Sequence, residues 1–130
     1  VLFVGENFQM NDYVHITAMT NITIGKNVLL ASKVYISDCS HGSYAGDEND
    51  SSPLISPSSR KMFSRRVTIE DNVWLGEFVT VLPGVTIGKG TIVGANSVVS
   101  KSLPENVIAV GVPAKPIKKF NFETSRWEKI

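Results

Sequence analysis

Along most of the chain every sixth residue is aliphatic. The positions run Val4, Met10, Ile16, then after a slip of two residues Ile24, Leu30, Ile36, and after a long interruption Ile69, Leu75, Val81, Ile87, Val93 and Val99. The residue that follows is often small (Gly5, Ala31, Ser37, Gly76, Gly88, Gly94, Ser100). The residue four on is usually Val, Thr or Ser (Val14, Thr20, Val28, Val34, Ser40, Val73, Val79, Val85, Thr91, Ser97), with Phe8 and Leu103 as exceptions. Neither a helix nor an alternating strand has this period. A six-residue unit with one large aliphatic and one small or β-branched residue pointing inward suits a short flat strand followed by a bend, and three units make a triangular coil of about 18 residues. Coils stacked at about 4.8 Å, the spacing of hydrogen-bonded strands, bury a continuous aliphatic ladder. The clusters Gly25-Lys26-Asn27, Glu70-Asp71-Asn72 and Gly88-Lys89-Gly90 fall between the strands, where bends need residues tolerant of positive φ. The pattern therefore predicts an all-β chain, a parallel β-helix of about four coils: Val4 to Asn21, Ile24 to His41, Ile69 to Thr86, and Ile87 to Pro104. A sandwich of many short strands does not hold a six-residue register through so many units.

The register fails between His41 and Val67. A structureless insertion of this length inside a compact domain is functional or disordered, and residues 42–66 are expected to extrude from one corner. Their first half is acidic (Asp47, Glu48, Asp50) and their second basic (Arg60, Lys61, Arg65, Arg66). A solvated loop without a partner is the plain alternative. His41 closes the ISDCSH hexad at the root of this loop, where a side chain is both held and reachable, and the only other histidine is His15.

Composition narrows the setting. The 130 residues read as one domain, 1–130, and a four-coil prism is slender, so self-association is expected. A net charge of +1 gives no whole-protein case for nucleic acid. One cysteine, no signal peptide and no apolar run long enough to span a bilayer point to a cytoplasmic protein without a transmembrane segment. Val1 is not methionine and the first hexad begins at once, which reads as a fragment lacking an upstream cap.

From Val4 to Lys119 the sequence resembles the maltose, galactoside and nodulation-factor acetyltransferase branch of the hexapeptide-repeat family. The segments NITIGKNVLLASKVYI and VTIEDNVWLGEFVTVLPGVTIGKGTIVGANSVVSKSLPENVIAVGVPAKPIKK follow its pattern, and GVPAKPIKK is among its most specific marks. With NDYVHI and ETSRWEKI included, the likeness is closest to bacterial acetyltransferases of lipopolysaccharide O-antigen or exopolysaccharide synthesis. The resemblance implies left-handed coils, a short C-terminal tail at 105–130, and transfer of an acetyl group from acetyl-CoA to a sugar hydroxyl, as in O-antigen or capsule biosynthesis. A hydroxyl must lose its proton as it attacks a thioester, and a positioned imidazole accepts it at neutral pH; His41 matches the family's base.

The same likeness assigns the other site residues. The backbone N–H of Glu77 falls where the family stabilises the oxyanion. Asn11 matches an acceptor-binding asparagine, with Asp12 and His15 near it, and Trp74 matches an aromatic close to the site; a bend asparagine and a packing tryptophan are the plain alternatives. For acetyl-CoA the family uses a groove between prisms of a homotrimer. There Gly76, Gly94 and Ala95 are expected to accompany the pantetheine arm, Ser100 and Lys101 to make the next contact, and Lys115 and Lys118 to meet the nucleotide phosphates. Rival readings are weaker. A zinc-dependent carbonic anhydrase on this scaffold needs three protein ligands, and such enzymes use three histidines where this chain has two, so no metal is expected. Cys39 lies two residues from His41 on one strand edge, a spacing that need not bring the side chains together for thiol catalysis. An N-acetyltransferase acting on an amino sugar and a non-catalytic scaffold binding a sugar or protein remain as alternatives.

Overall fold

A computed structural model describes residues 1–130. The first coil consists of β1 (Leu2–Val4), β2 (Gln9–Met10) and β3 (His15–Thr17), and the second of β4 (Ile22–Ile24), β5 (Leu29–Leu30) and β6 (Tyr35–Ser37). A two-stranded hairpin of β7 (Cys39–His41) and β8 (Met62–Ser64) then interrupts the winding. The third coil contains β9 (Val67–Ile69), β10 (Trp74–Leu75) and β11 (Thr80–Val81), and the fourth β12 (Thr86–Ile87), β13 (Ile92–Val93) and β14 (Val98–Val99). Equivalent strands of successive coils pair in parallel, in register, into three faces. The first face is β1-β4-β9-β12, the third is β3-β6-β11-β14, and the second begins β2-β5-β10-β13. The chain is a parallel β-helix, and the hexad positions are its inner ladder: Leu30, Ile36, Ile69, Leu75, Val81, Ile87, Val93 and Val99 are fully buried. Each such side chain contributes roughly 1.5–3 kcal/mol. Val28, Val34, Val73, Val79, Val85, Thr91 and Ser97 fill the inner corners.

The repeat and the structure part company at identifiable places. Thr20 and Ser40 fit the four-on pattern in sequence but do not point into the core: Thr20 is exposed at the third corner and Ser40 lies in β7 outside the prism. Val4 and Met10 belong to the first coil, which pairs on one side only, with the second, and are 45% and 58% exposed. The insertion is also more ordered than a structureless loop. Its ends pair antiparallel, with His41 opposite Met62, and Pro57–Ser59 form a 3-10 turn. Beyond the fourth coil, Leu103 bridges to Ile87 and β15 (Val107–Gly111) pairs in parallel with β13, which begins a fifth coil. β16 (Ala114–Asn121) and β17 (Arg126–Lys129) then turn back antiparallel and widen the second face to seven strands. The short tail is thus a strand meander, and the Glu123–Ile130 stretch, too short for an unaided helix, pairs as β17 against β16, with Phe120, Phe122 and Trp127 packed edge to face.

Two of the three corners between the faces differ in kind. Between first and second faces, positive φ falls on Asn7, Asn27, Asn72, Gly90 and Asn106, residue types that tolerate the left-handed conformation. Between second and third faces it falls on Tyr13, Lys33 and Phe78, with Asn only at 96. Tyr13, at φ 58° and 84% exposed, has little packing to offset the strain. Tyr13→Asn is therefore expected to stabilise the fold by about 1 kcal/mol, read as a higher midpoint in urea; an unchanged or lower midpoint would contradict this.

Candidate functional site

The second face and the corner that follows it form a groove of about 480 Å³. Leu29, Trp74 and Ile92 point outward from β5, β10 and β13 as its apolar floor. Its rim is made by Asn11, Ala31, Gly76, Glu77, Gly94 and Ala95, equivalent corner positions of successive coils. Six of the sequence-predicted residues (Asn11, Trp74, Gly76, Glu77, Gly94, Ala95) meet in this one place. Trp74, within that floor, stays 48% exposed. The N–H groups of Glu77 and Ala95 donate no hydrogen bond inside the chain, while the Glu77 carbonyl accepts from Asn96. The groove thus combines an apolar floor with a rim that holds two main-chain donors without an internal acceptor, a chemistry suited to an extended chain bearing amide and carbonyl groups.

The two groove glycines are also required by the stacking of the coils. A Cβ on Gly76 would lie 2.8 Å from the Ala95 nitrogen, and one on Gly94 2.7 Å from Val110 Cγ1. Their missing side chains make room for the next coil.

The remaining predicted residues lie elsewhere. Asp12 is exposed at the groove corner, just past Asn11, and its carbonyl accepts from the Lys33 N–H. His15 stacks on Tyr35, the centroids 5.2 Å apart, and its Nε2 is 2.7 Å from Thr17 Oγ1, all on the third face. Lys115 and Lys118 sit on β16, opposite Val110 and Ile108. His41, Ser100 and Lys101 are exposed at the third corner, between third and first faces. One chain therefore holds two half-sets, the groove at the second corner and the histidine at the third.

Sequence reasoning missed Asp38. It is fully buried, and its carboxylate accepts from the N–H groups of Met19 (2.7 Å), Thr20 (2.8 Å) and Asn21 (2.8 Å) and from the Thr20 hydroxyl (3.3 Å). Burial alone would raise its pKa; the four donors outweigh that and hold it below the ordinary aspartate value. The Asp38 carbonyl accepts from the Arg65 N–H, and Thr20 Oγ1 bonds Ser64 Oγ across the loop's root. The two-residue slip in the repeat after Ile16 was the available signal: these extra residues widen the corner that Asp38 ties down.

A triangular parallel prism with a donor-rimmed groove on one face defines the class of the repeat-built β-helix, here in its left-handed form. The chain belongs to the bacterial hexapeptide-repeat transferase family, whose model of six repeats matches residues 66–101. It is 55% identical over 129 residues to an Escherichia coli K12 protein provisionally named a lipopolysaccharide biosynthesis O-acetyl transferase, covering 99% of this chain and 66% of that one. The galactoside O-acetyltransferase of the same strain is 37% identical over 120 residues, 92% of this chain and 55% of the relative. Among solved structures, a maltose O-acetyltransferase from Clostridium difficile 630 superposes with a TM-score of 0.78 at 38% identity, covering 92% of this chain and 59% of its own. The chain thus spans about two thirds or less of the length of these relatives. No helix is long and apolar enough to cross a membrane.

Proposed function

We propose that this chain is an acetyl-CoA-dependent O-acetyltransferase acting on a sugar hydroxyl in surface-polysaccharide biosynthesis, by direct transfer with His41 as general base. The observation that carries this reading is the groove, where the uncommitted N–H groups of Glu77 and Ala95 lie along an apolar floor. The pantetheine arm of acetyl-CoA, an alternation of amides and methylenes, fits that chemistry. The acceptor hydroxyl oxygen bonds to the thioester carbonyl carbon as His41 takes its proton; the carbonyl oxygen becomes an oxyanion held by the Glu77 N–H. Collapse breaks the C–S bond, and the proton on the imidazole returns to the leaving thiolate. Asn11 and Trp74 are assigned to the acceptor, and Lys115 and Lys118 to the phosphates.

Because His41 and the groove occupy different corners, the reading requires that a neighbouring protomer supply one half of each site, as three prisms packed side by side would allow. Sedimentation is expected to give a trimer, and a fully active monomer would remove this requirement. The activity is tested by thiol release from acetyl-CoA with free, nucleotide-linked and lipid-linked sugars. Turnover with none of them, alongside measurable acetyl-CoA binding, would favour a non-catalytic scaffold.

A further inference from the structure

The inserted loop returns to the residue it departs from. Gly42 is buried with φ at 103°, and a Cβ there would lie 2.5 Å from the Tyr44 hydroxyl and 2.6 Å from Ser51 Oγ. Only glycine lets the chain turn tightly enough to lay Tyr44 back over the loop's root. The Tyr44 hydroxyl donates to the His41 carbonyl oxygen. Arg60, from the far end of the loop, donates through Nη1 to the same hydroxyl at 2.7 Å and through Nε to the Ile55 carbonyl at 2.9 Å, with its Cζ 5.8 Å from the Tyr44 ring centroid.

The direction of these bonds is forced. A guanidinium only donates, so the tyrosine oxygen must accept from Arg60, and its single proton is left for the His41 carbonyl. A charged donor on the hydroxyl oxygen strengthens the bond the hydroxyl itself makes. His41 is thus held on two sides, by pairing with Met62 across the hairpin and by Tyr44 at its carbonyl. Its ring makes no hydrogen bond within the chain. With no partner on the ring within the chain, these main-chain restraints fix the direction of the Cα–Cβ bond from which the imidazole reaches.

We propose that Tyr44 and Arg60 are positioning residues for His41, and that the insertion serves as a brace that fixes the direction of the base. This rests on the reading of His41 as general base. Small misplacements of a catalytic group cost up to about 100-fold in rate, and losing one of two backbone restraints is expected to cost less. Tyr44→Phe keeps the ring and deletes the relay. It is expected to lower kcat about 10-fold with the KM for acetyl-CoA and the unfolding midpoint unchanged, and to move the imidazole proton resonances of His41. Arg60→Lys, which keeps the charge but cannot serve hydroxyl and carbonyls together, is expected to show the same split between kcat and KM. In a His41→Ala background, Tyr44→Phe is expected to have no further effect, since Tyr44 acts only through the histidine. Wild-type kcat in Tyr44→Phe, with His41→Ala inactive, would overturn the brace and leave the base in place. An equal further loss in the double variant would also overturn it, by showing that Tyr44 acts independently. A fully active His41→Ala protein would overturn the base reading and the brace together.

Discussion

Replacing His41 with alanine is expected to lower kcat by about 10²–10⁴-fold, the usual contribution of a positioned general base, on the order of 3–5 kcal/mol of barrier. The side chain is exposed and makes no hydrogen bond within the chain, so its removal is expected to change stability by less than about 0.5 kcal/mol. The groove lies at another corner, so acetyl-CoA binding is expected to persist, with KM nearly unchanged. The loss therefore appears in kcat alone, the signature of an interaction made in the transition state. Kinetics with saturating acceptor, together with a binding titration of acetyl-CoA, separate these terms. Unchanged turnover would end the role of His41; a matched loss of binding would mean that the histidine holds the cofactor instead.

Much of this arrangement was readable in the chain because its information is local and periodic. Positions such as Leu75 and Val93 are buried because each occupies the same place in its coil, and a six-residue period reports that directly. The period even carries the division of the candidate site: Glu77 and Ala95 are 18 residues apart and share a corner, whereas His41 falls one face further on. What the pattern does not contain is pairing across the insertion. The register of Cys39 against Ser64 depends on residues 25 apart in sequence, and no repeat encodes it. The meander of β15 to β17 is likewise a non-local choice, in which Lys119 pairs with Glu128 rather than continuing the coil. Asp38 was hidden for the same reason: as one polar letter in ISDCSH it looks like a bend residue, and its donors come from Met19, Thr20 and Asn21 in the coil before.

Asp38 is where the largest effect on stability is expected. Asp38→Asn keeps one acceptor oxygen but places an NH₂ group where the other oxygen accepts from the N–H groups of Thr20 and Asn21. Two donors then face each other at a buried position. Loss of these charge-assisted bonds, with backbone groups left unpaired, is expected to cost on the order of 3 kcal/mol, or about 10 °C in Tm for a domain of this size. The deficit depends on pH in a direction fixed by the lowered pKa. Folding depresses the carboxyl below 3.8, so below that value the unfolded chain binds a proton that the folded chain resists. The stabilisation is complete above pH 3.8 and shrinks as the pH falls from there through the folded-state value. Wild type and Asp38→Asn should differ fully at pH 7 and converge in acid, and a constant difference from pH 7 to pH 3 would contradict the assignment. The consequence reaches the site as well, because the same corner holds Arg65 through the Asp38 carbonyl and Ser64 through Thr20, the two residues that close the hairpin bearing His41. At temperatures where Asp38→Asn is still folded, kcat is expected to fall severalfold while acetyl-CoA binding in the groove holds, since the corner that loosens carries His41, the proposed base, and not the main-chain donors of Glu77 and Ala95.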